Sequence, residues 1–376
     1  VKVLFHVQHL LGIGHDRRAA LIARGLSAAG MDVTVLRGGH PVPGIGYGPA
    51  AVIQLPPARA ADETFKTLLD EHGNPIDDAW RANRREAVLN AFKRVQPDAL
   101  LVESFPFGRR AFRFELLQLL EAARAAGTVT ACSVRDILVA KANPDRLEES
   151  TATVERLFDR VLVHGDPDLI PFDATFPLAS RIADRIRYTG YVAAPPLAAE
   201  TTDGTDEVIV SVGGGAVGLP LLRAALAARP LTPAGDAVWR LLVGPDVPDA
   251  AFRALAADAP PGVLVERARP DFPALLRRCR LSVSQAGYNT VLDLLQAGCR
   301  AVVVPFAAGG ETEQPTRARL LERRGRLVVV EEAGLTAETL AAGISRALTQ
   351  PAPPPVPVRL DGAAGTARLL AEAVGG

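Results

Sequence analysis

SQAGYNTVLDLLQAGCRAVVVPFAAGGETEQPTRARLLERRG, residues 284–325, carries a short apolar run through a small-residue turn, Ala286-Gly287, into a helical pattern that starts near Asn289 and stops at Gly298. A second buried run follows at Ala301–Val304, then Pro305 and a polar loop holding Glu313 and Gln314. Free N–H groups and a partial positive charge make a helix N-terminus a place for anions. Asp293, one turn into that helix, is a planar carboxylate able to accept two hydroxyl hydrogen bonds, as a vicinal diol requires. Diphosphate, ribose and sugar thus each find a candidate contact within this stretch.

The same alternation extends outward in both directions. Val1–Val7, Val33–Leu36, Ala51–Leu55, Ala99–Glu103, Val129–Cys132 and Arg160–His164 read as strands; Asp16–Ala29, Trp80–Val95 and Phe114–Ala126 read as helices. Short strands alternating with helices imply a parallel sheet covered on both faces. Tyr188–Tyr191 leads into Val192-Ala193-Ala194-Pro195-Pro196 and a polar run, the best linker in the chain. Strands then resume at Glu207–Val212, Val238–Val243, Val263–Glu266, Leu281–Ser284, Ala301–Val304 and Leu327–Val330. The expected fold class is α/β, two Rossmann-like doubly wound domains facing across a cleft. Their expected bounds are 1–192 and 207–359, with a linker at 193–206 and a final helix, 360–376, packing back on the first domain.

The 376 residues are 48% apolar, enough for two cores, and 42 basic residues balance 42 acidic ones. Zero net charge gives no global pull toward nucleic acid or an anionic membrane. Arg317, Arg319, Arg323, Arg324 and Arg326 crowd one helix and its exit, and read as a solvated face. Cys132, Cys279 and Cys299 are an odd, widely spaced set without a CxxC pair, as expected of reduced thiols in a cytoplasmic protein. No apolar run approaches the roughly 20 residues of a transmembrane helix, and no N-terminal signal is read, because Val1–Phe5 is already strand-like. His6, His9, His40, His72 and His164 show no zinc-ligand spacing, and Asp166-Pro167-Asp168 reads as a turn. No metal and no cofactor are expected.

The spaced set Ser284-Gln285-Ala286-Gly287, Thr290, Asp293, Ala297-Gly298, Val304-Pro305-Phe306, Glu313-Gln314, Arg317-Ala318 and Gly325 resembles the C-terminal domain of family 28 glycosyltransferases of the GT-B fold, the MurG-like family. The chain looks closer to a subgroup of predicted glycosyltransferases than to MurG itself. The resemblance implies a metal-independent inverting transferase that moves a sugar from a UDP- or dTDP-sugar to a hydroxyl on a small-molecule or glycolipid acceptor. It implies that Ala286, Gly287, Tyr288, Asn289 and Thr290 meet the diphosphate at the helix start. Asp293 would hold the ribose, Arg269 would lie at the base, and Glu313 and Gln314 would meet the sugar. Gly213-Gly214-Gly215 look like the family's second glycine turn, and Gly12 and Gly14 like the end of its first. His15 falls where the family places a histidine near the reaction centre. A location in the cytoplasm follows, with peripheral contact at the inner membrane face left open.

Residue chemistry adds candidates of its own. A helix N-terminus disfavours imidazolium, which suits His15 to act as a base; the alternative is a capping or structural histidine. Asp136 and Glu103 both follow strands, and either is placed to orient His15 or to be the base. Asp16 reads as the helix cap. Arg17 and Arg109, with Arg110 and Arg113, suggest an anionic acceptor, against the default of solvated arginines. Bulky Leu11 and Ile13 argue against a polyprenyl-diphosphate acceptor, and Ala58–Asp78 reads as a mobile acceptor loop. Two other classes stay open: a sugar-nucleotide epimerase of the same fold, which would alter the donor without an acceptor, and a non-catalytic sugar-nucleotide-binding protein.

Overall fold

The computed structural model describes residues 1–10, 14–62, 67–138, 143–194, 202–212, 218–245, 247–308, 312–353 and 358–376. The chain divides into two compact units: Val1–Ala194 with Arg359–Gly376, and Pro195–Val358.

Unit 1 runs β1 (Lys2–Val7), α1 (Gly14–Ala28), β2 (Asp32–Arg37), β3 (Ala51–Gln54), a small hairpin of β4 (Arg59–Ala60) and β5 (Leu68–Leu69), α2 (Asp78–Val95), β6 (Ala99–Glu103), α3 (Arg113–Ala125), β7 (Val129–Arg135), α4 (Pro144–Leu157), β8 (Arg160–His164) and β9 (Ile186–Tyr188). Its seven-stranded sheet has the order β3-β2-β1-β6-β7-β8-β9. Every described pairing in it is parallel. The central strands β6 and β7 are buried on both sides, so they read as apolar runs rather than as an alternation. One face packs Leu4, Leu100, Val102 and Val161 under α2 and α3; the other packs Val3, Phe5, Leu101 and Leu162 under α1.

Unit 2 runs β10 (Val208–Ser211), α5 (Leu219–Ala228), β11 (Trp239–Val243), α6 (Asp249–Ala257), β12 (Val263–Arg267), α7 (Phe272–Leu276), β13 (Leu281–Ser284), α8 (Tyr288–Ala297), β14 (Ala301–Val303), α9 (Glu313–Arg323), β15 (Val328–Val329) and α10 (Ala337–Thr349). The six strands lie in the order β12-β11-β10-β13-β14-β15. The last helix, α11 (Gly362–Gly375), belongs to unit 1 and lies on α1. Gly25 permits that approach: a Cβ there would stand 2.6 Å from the Cβ of Ala363. Ala367, Leu369 and Leu370 of α11 share a core with Ala19, Ile22, Ala23 and Leu26 of α1.

Two local expectations are corrected. Ala58–Asp78 is not a loop throughout: Ala58, Ala60 and Leu68 are buried, and β4 pairs antiparallel with β5. Its polar majority hides three apolar anchors, and small residues such as Ala58 and Ala60 give a weak periodic signal. Tyr188, read as the start of the approach to a linker, ends the edge strand β9, Ile186–Tyr188. Asp166–Asp168 is a turn in which Asp166 Oδ1 accepts the Asp168 N–H at 2.9 Å.

Candidate functional site

In each unit the polar candidates gather where the strand order reverses, the place at which open α/β sheets take their ligands. In unit 1, β1 has β2 on one side and β6 on the other. α1 opens just after β1 with Gly14, which is exposed, and then His15. Glu103 ends β6. Its Oε1 accepts from His15 Nδ1 at 2.5 Å, from Arg18 Nη2 at 2.6 Å and from Ser104 Oγ at 2.9 Å. Arg109 Nε stands 3.6 Å from Glu103 Oε2 and donates to the Gln8 carbonyl at 2.7 Å.

Glu103 is 1% exposed. Burial pushes its pKa up, but His15, Arg109 and Arg18 outweigh burial and hold it well below the usual carboxylate range. The two guanidiniums keep their protons at any working pH, so they sustain that charge when the imidazole is neutral. An ionised carboxylate only accepts, so His15 carries its proton on Nδ1 and leaves the Nε2 lone pair free. Burial lowers the His15 pKa to about 3, opposed by Glu103 and reinforced by Arg109 and Arg135. At neutral pH this is a neutral, oriented imidazole, with the side chain 26% exposed.

The other unit 1 candidates separate. Of the two acids offered as partners, Glu103 reaches His15. Asp136 is fully buried, and its Oδ1 accepts the Ile137 N–H at 2.9 Å. Asp16 is not the cap of α1, since the helix opens two residues earlier. Asp16 is buried, accepts the Tyr47 hydroxyl and lies 3.9 Å from His9 Nδ1. Arg17 is exposed, whereas Arg109 is half-buried, with its Nε turned to Glu103 and the Gln8 carbonyl. Gly12 lies outside the described residues. Arg18 was missed by the sequence reading; its signal was its place three residues after His15, on the same helix face.

In unit 2 the order reverses between β10 and β13. The turn after β10 holds Gly213, Gly214 and Gly215, which lie outside the described residues. The turn after β13 is Gln285-Ala286-Gly287. Gly287 is the N-cap of α8, extended at φ −62° and ψ 151°, and as a glycine it brings no side-chain cap to the first amides. A Cβ at Gly287 would meet only Thr290 Oγ1, at 3.9 Å, so glycine there keeps the approach open rather than relieving strain. Asn289 is exposed, while Tyr288 and Thr290 are half-buried.

Asp293, one turn further on, is half-buried, and burial alone raises its pKa to about 6. No hydrogen bond or ion pair engages it among the described residues. The Ser282 and Ser284 hydroxyls of β13 are buried and have no hydrogen-bond partner there either.

The expected polar loop ends before Glu313: Glu313 and Gln314 open α9, and that helix is tied to this turn by Arg317, which is 2% exposed. Its Nη2 donates to Glu313 Oε1 at 2.7 Å and its Nη1 to the Ala286 carbonyl at 3.4 Å, and its guanidinium lies 5.4 Å from the Tyr288 ring centre. Gln314 Oε1 accepts the Phe306 N–H at 3.1 Å. The structure thus brings Ala286, Gly287, Tyr288, Glu313 and Gln314 into one neighbourhood. Arg317 is the element that the sequence reading had assigned to a solvated face. Arg269 is occupied differently: Asp271, Asp203 and Glu266 all engage its guanidinium.

Residues 209–355 match the glycosyltransferase family 28 C-terminal domain. Unit 2 is a family 28 domain. A UDP-N-acetylglucosamine–N-acetylmuramyl-(pentapeptide) pyrophosphoryl-undecaprenol N-acetylglucosamine transferase of Rhodospirillum centenum is 36% identical over 83 residues, covering 22% of this chain and 22% of that protein. The corresponding protein of Phenylobacterium zucineum is 37% identical over 82 residues, again 22% of each chain. The aligned stretch therefore spans about a fifth of these curated relatives. Among solved structures, Acinetobacter baumannii MurG superposes with a TM-score of 0.61 at 16% identity, covering 99% of each chain. The glycotransferase of kitacinnamycin gives 0.63 at 16% identity, over 100% of this chain and 95% of that one. The fold is the MurG-like GT-B fold, two parallel-sheet domains of mixed α/β type.

Proposed function

We propose that this family 28 protein is a glycosyltransferase that moves a sugar from a uridine or thymidine diphosphate sugar to an acceptor hydroxyl, with inversion and without a metal. The observation that carries transfer is the His15–Glu103 pair: an imidazole kept neutral at pH 7, with its tautomer set by a buried anion. The acceptor hydroxyl gives its proton to His15 Nε2 as its oxygen forms a bond to the anomeric carbon. Glu103 stabilises the imidazolium that results. The bond from the anomeric carbon to the diphosphate oxygen breaks on the opposite side, and the nucleoside diphosphate leaves with the electron pair. The first amides of α8 then meet its growing charge, a role in which fixed dipoles are most effective. In this reading Asp293 takes the ribose hydroxyls, and Glu313 and Gln314 meet the sugar.

The named relatives and neighbours include both lipid-linked and small-molecule acceptors, so the acceptor class is tested rather than inherited. A thermal-shift panel of nucleoside diphosphates and their sugars comes first, because a ligand that binds the native state raises the melting point. The nucleotide sugars that bind are then incubated alone and with candidate acceptors. Release of nucleoside diphosphate only with acceptor supports transfer. A changed sugar without acceptor establishes the epimerase instead, and binding without turnover across the acceptors leaves a nucleotide-sugar-binding protein.

A further inference from the structure

Cys279 follows α7 and Cys299 follows Gly298, the left-handed residue (φ 62°) that closes α8. They sit at the entrances of adjacent strands. β13 and β14 pair in parallel with Ser282 opposite Ala301, and the Ser282 N–H donates to the Arg300 carbonyl at 2.9 Å. Carried back two residues, this register sets 280 opposite 299, one residue from Cys279. Neighbouring strands lie about 4.8 Å apart, inside the roughly 4.4–6.8 Å Cα span that a disulfide bridges. Cys279 Sγ lies 3.2 Å from the Leu276 carbonyl oxygen. Both are partly exposed, whereas Cys132 is fully buried. Cys299 also lines a shallow surface cavity with Leu295, Arg326, Leu327 and Pro353.

We propose that Cys279 and Cys299 are a redox-modification site that closes into a reversible disulfide around β13, the Gly287 turn and α8. The neighbouring Cys299 thiol and burial push the Cys279 thiol above its ordinary value, so Cys279 keeps its proton and Cys299 is the attacking member. The oxidant is a small-molecule disulfide. The Cys299 thiolate bonds to one of its sulfurs and expels the other half as a thiolate. Cys279 then gives up its proton, attacks Cys299 Sγ and expels the second half. Two protein thiols are oxidised and one disulfide is reduced to two thiols. The closed ring pins both ends of the strand–turn–helix that heads the candidate donor site, and a ring closed by a cross-link loses unfolded-state entropy.

The test uses the native, reduced chain treated with oxidised glutathione. Free thiols are expected to fall from the three of the sequence to one. Peptide mapping is expected to show Cys279 joined to Cys299, dithiothreitol to restore all three, and the melting point to be higher in the oxidised form. Cys299→Ser and Cys279→Ser each abolish the intramolecular bond; the mapping result on the unmutated chain stands even if one variant folds poorly. Three thiols remaining after treatment, a bond that involves Cys132 or joins two chains, or a disulfide that leaves the melting point unchanged would each overturn the proposal.

Discussion

The two polar clusters are built in opposite ways. Around Glu103 the charges converge: His15, Arg18 and Ser104 all bond its Oε1, and Arg109 stands 3.6 Å from its Oε2. Around α8 the polar groups are left over: Asp293 has no partner among the described residues, and the Ser282 and Ser284 hydroxyls are buried without one. Convergence of opposite charges on one carboxylate fixes a tautomer and a direction, as a proton acceptor needs. An unsaturated cluster stores the cost of desolvated polar groups, which a ligand bearing matching hydroxyls or phosphate oxygens relieves. Under the proposed function, the contrast separates a unit that acts from a unit that binds.

Substitutions test that division, beginning with the largest effect. His15→Ala is expected to lower kcat by roughly 10²–10⁴ with the donor dissociation constant unchanged; a donor affinity that fell in step would erase the contrast. Glu103→Gln removes the anion that sets the tautomer and is expected to slow turnover about 10²-fold. Its circular dichroism should be recorded beside the rate, because Arg18 and Arg109 lose a buried counter-ion. Asp293→Ala should raise the donor KM or dissociation constant roughly tenfold, the value of one lost charge-assisted contact, while kcat changes less. Equal loss in kcat and kcat/KM would place Asp293 in the chemistry instead.

Acidification sharpens the comparison without mutation. His15 titrates near 3, so its base form persists as the pH falls from 7 to 5; Asp293 titrates near 6 and becomes protonated across that window. The donor KM should therefore rise below pH 6 while kcat stays level, as initial rates at saturating and limiting donor would show. The smallest effect is on stability. The folded-state pKa of Asp293 lies above the ordinary aspartate value of 3.8, so its ionised form opposes folding at pH 7, and that penalty disappears as the pH falls through 6 toward 3.8. Asp293→Asn should accordingly stabilise the protein at pH 7 by on the order of 1 kcal/mol while weakening nucleotide binding. A melting point unchanged or lower at pH 7 would deny that the carboxylate is held at a cost.

Much of this was legible in the sequence because its signals are local. Runs such as Ala99–Val102 and Val208–Val210 announce buried parallel strands, and Ala286-Gly287 before an apolar helical pattern announces a strand-to-helix turn. What stayed hidden depends on long-range pairing. Nothing near Glu103 in the chain says that it meets His15 across 88 positions, and it was offered beside Asp136 on equal terms. Arg317 counted as one of five clustered arginines because its burial against Ala286 and Tyr288 is a tertiary fact. Arg109 looked cationic and free; the turn at φ 57° that swings it toward Glu103 leaves no trace in composition.

The packing of α11 on α1 gives the polypeptide a schedule of completion. Everything from Pro195 to Val358 emerges from the ribosome between the two parts of unit 1, so the helix bearing His15 must wait, lacking its cover, until Gly362–Gly375 has been synthesised. A nick or truncation near Arg359 would accordingly injure the distant beginning of the chain and spare the intervening unit that precedes the cut.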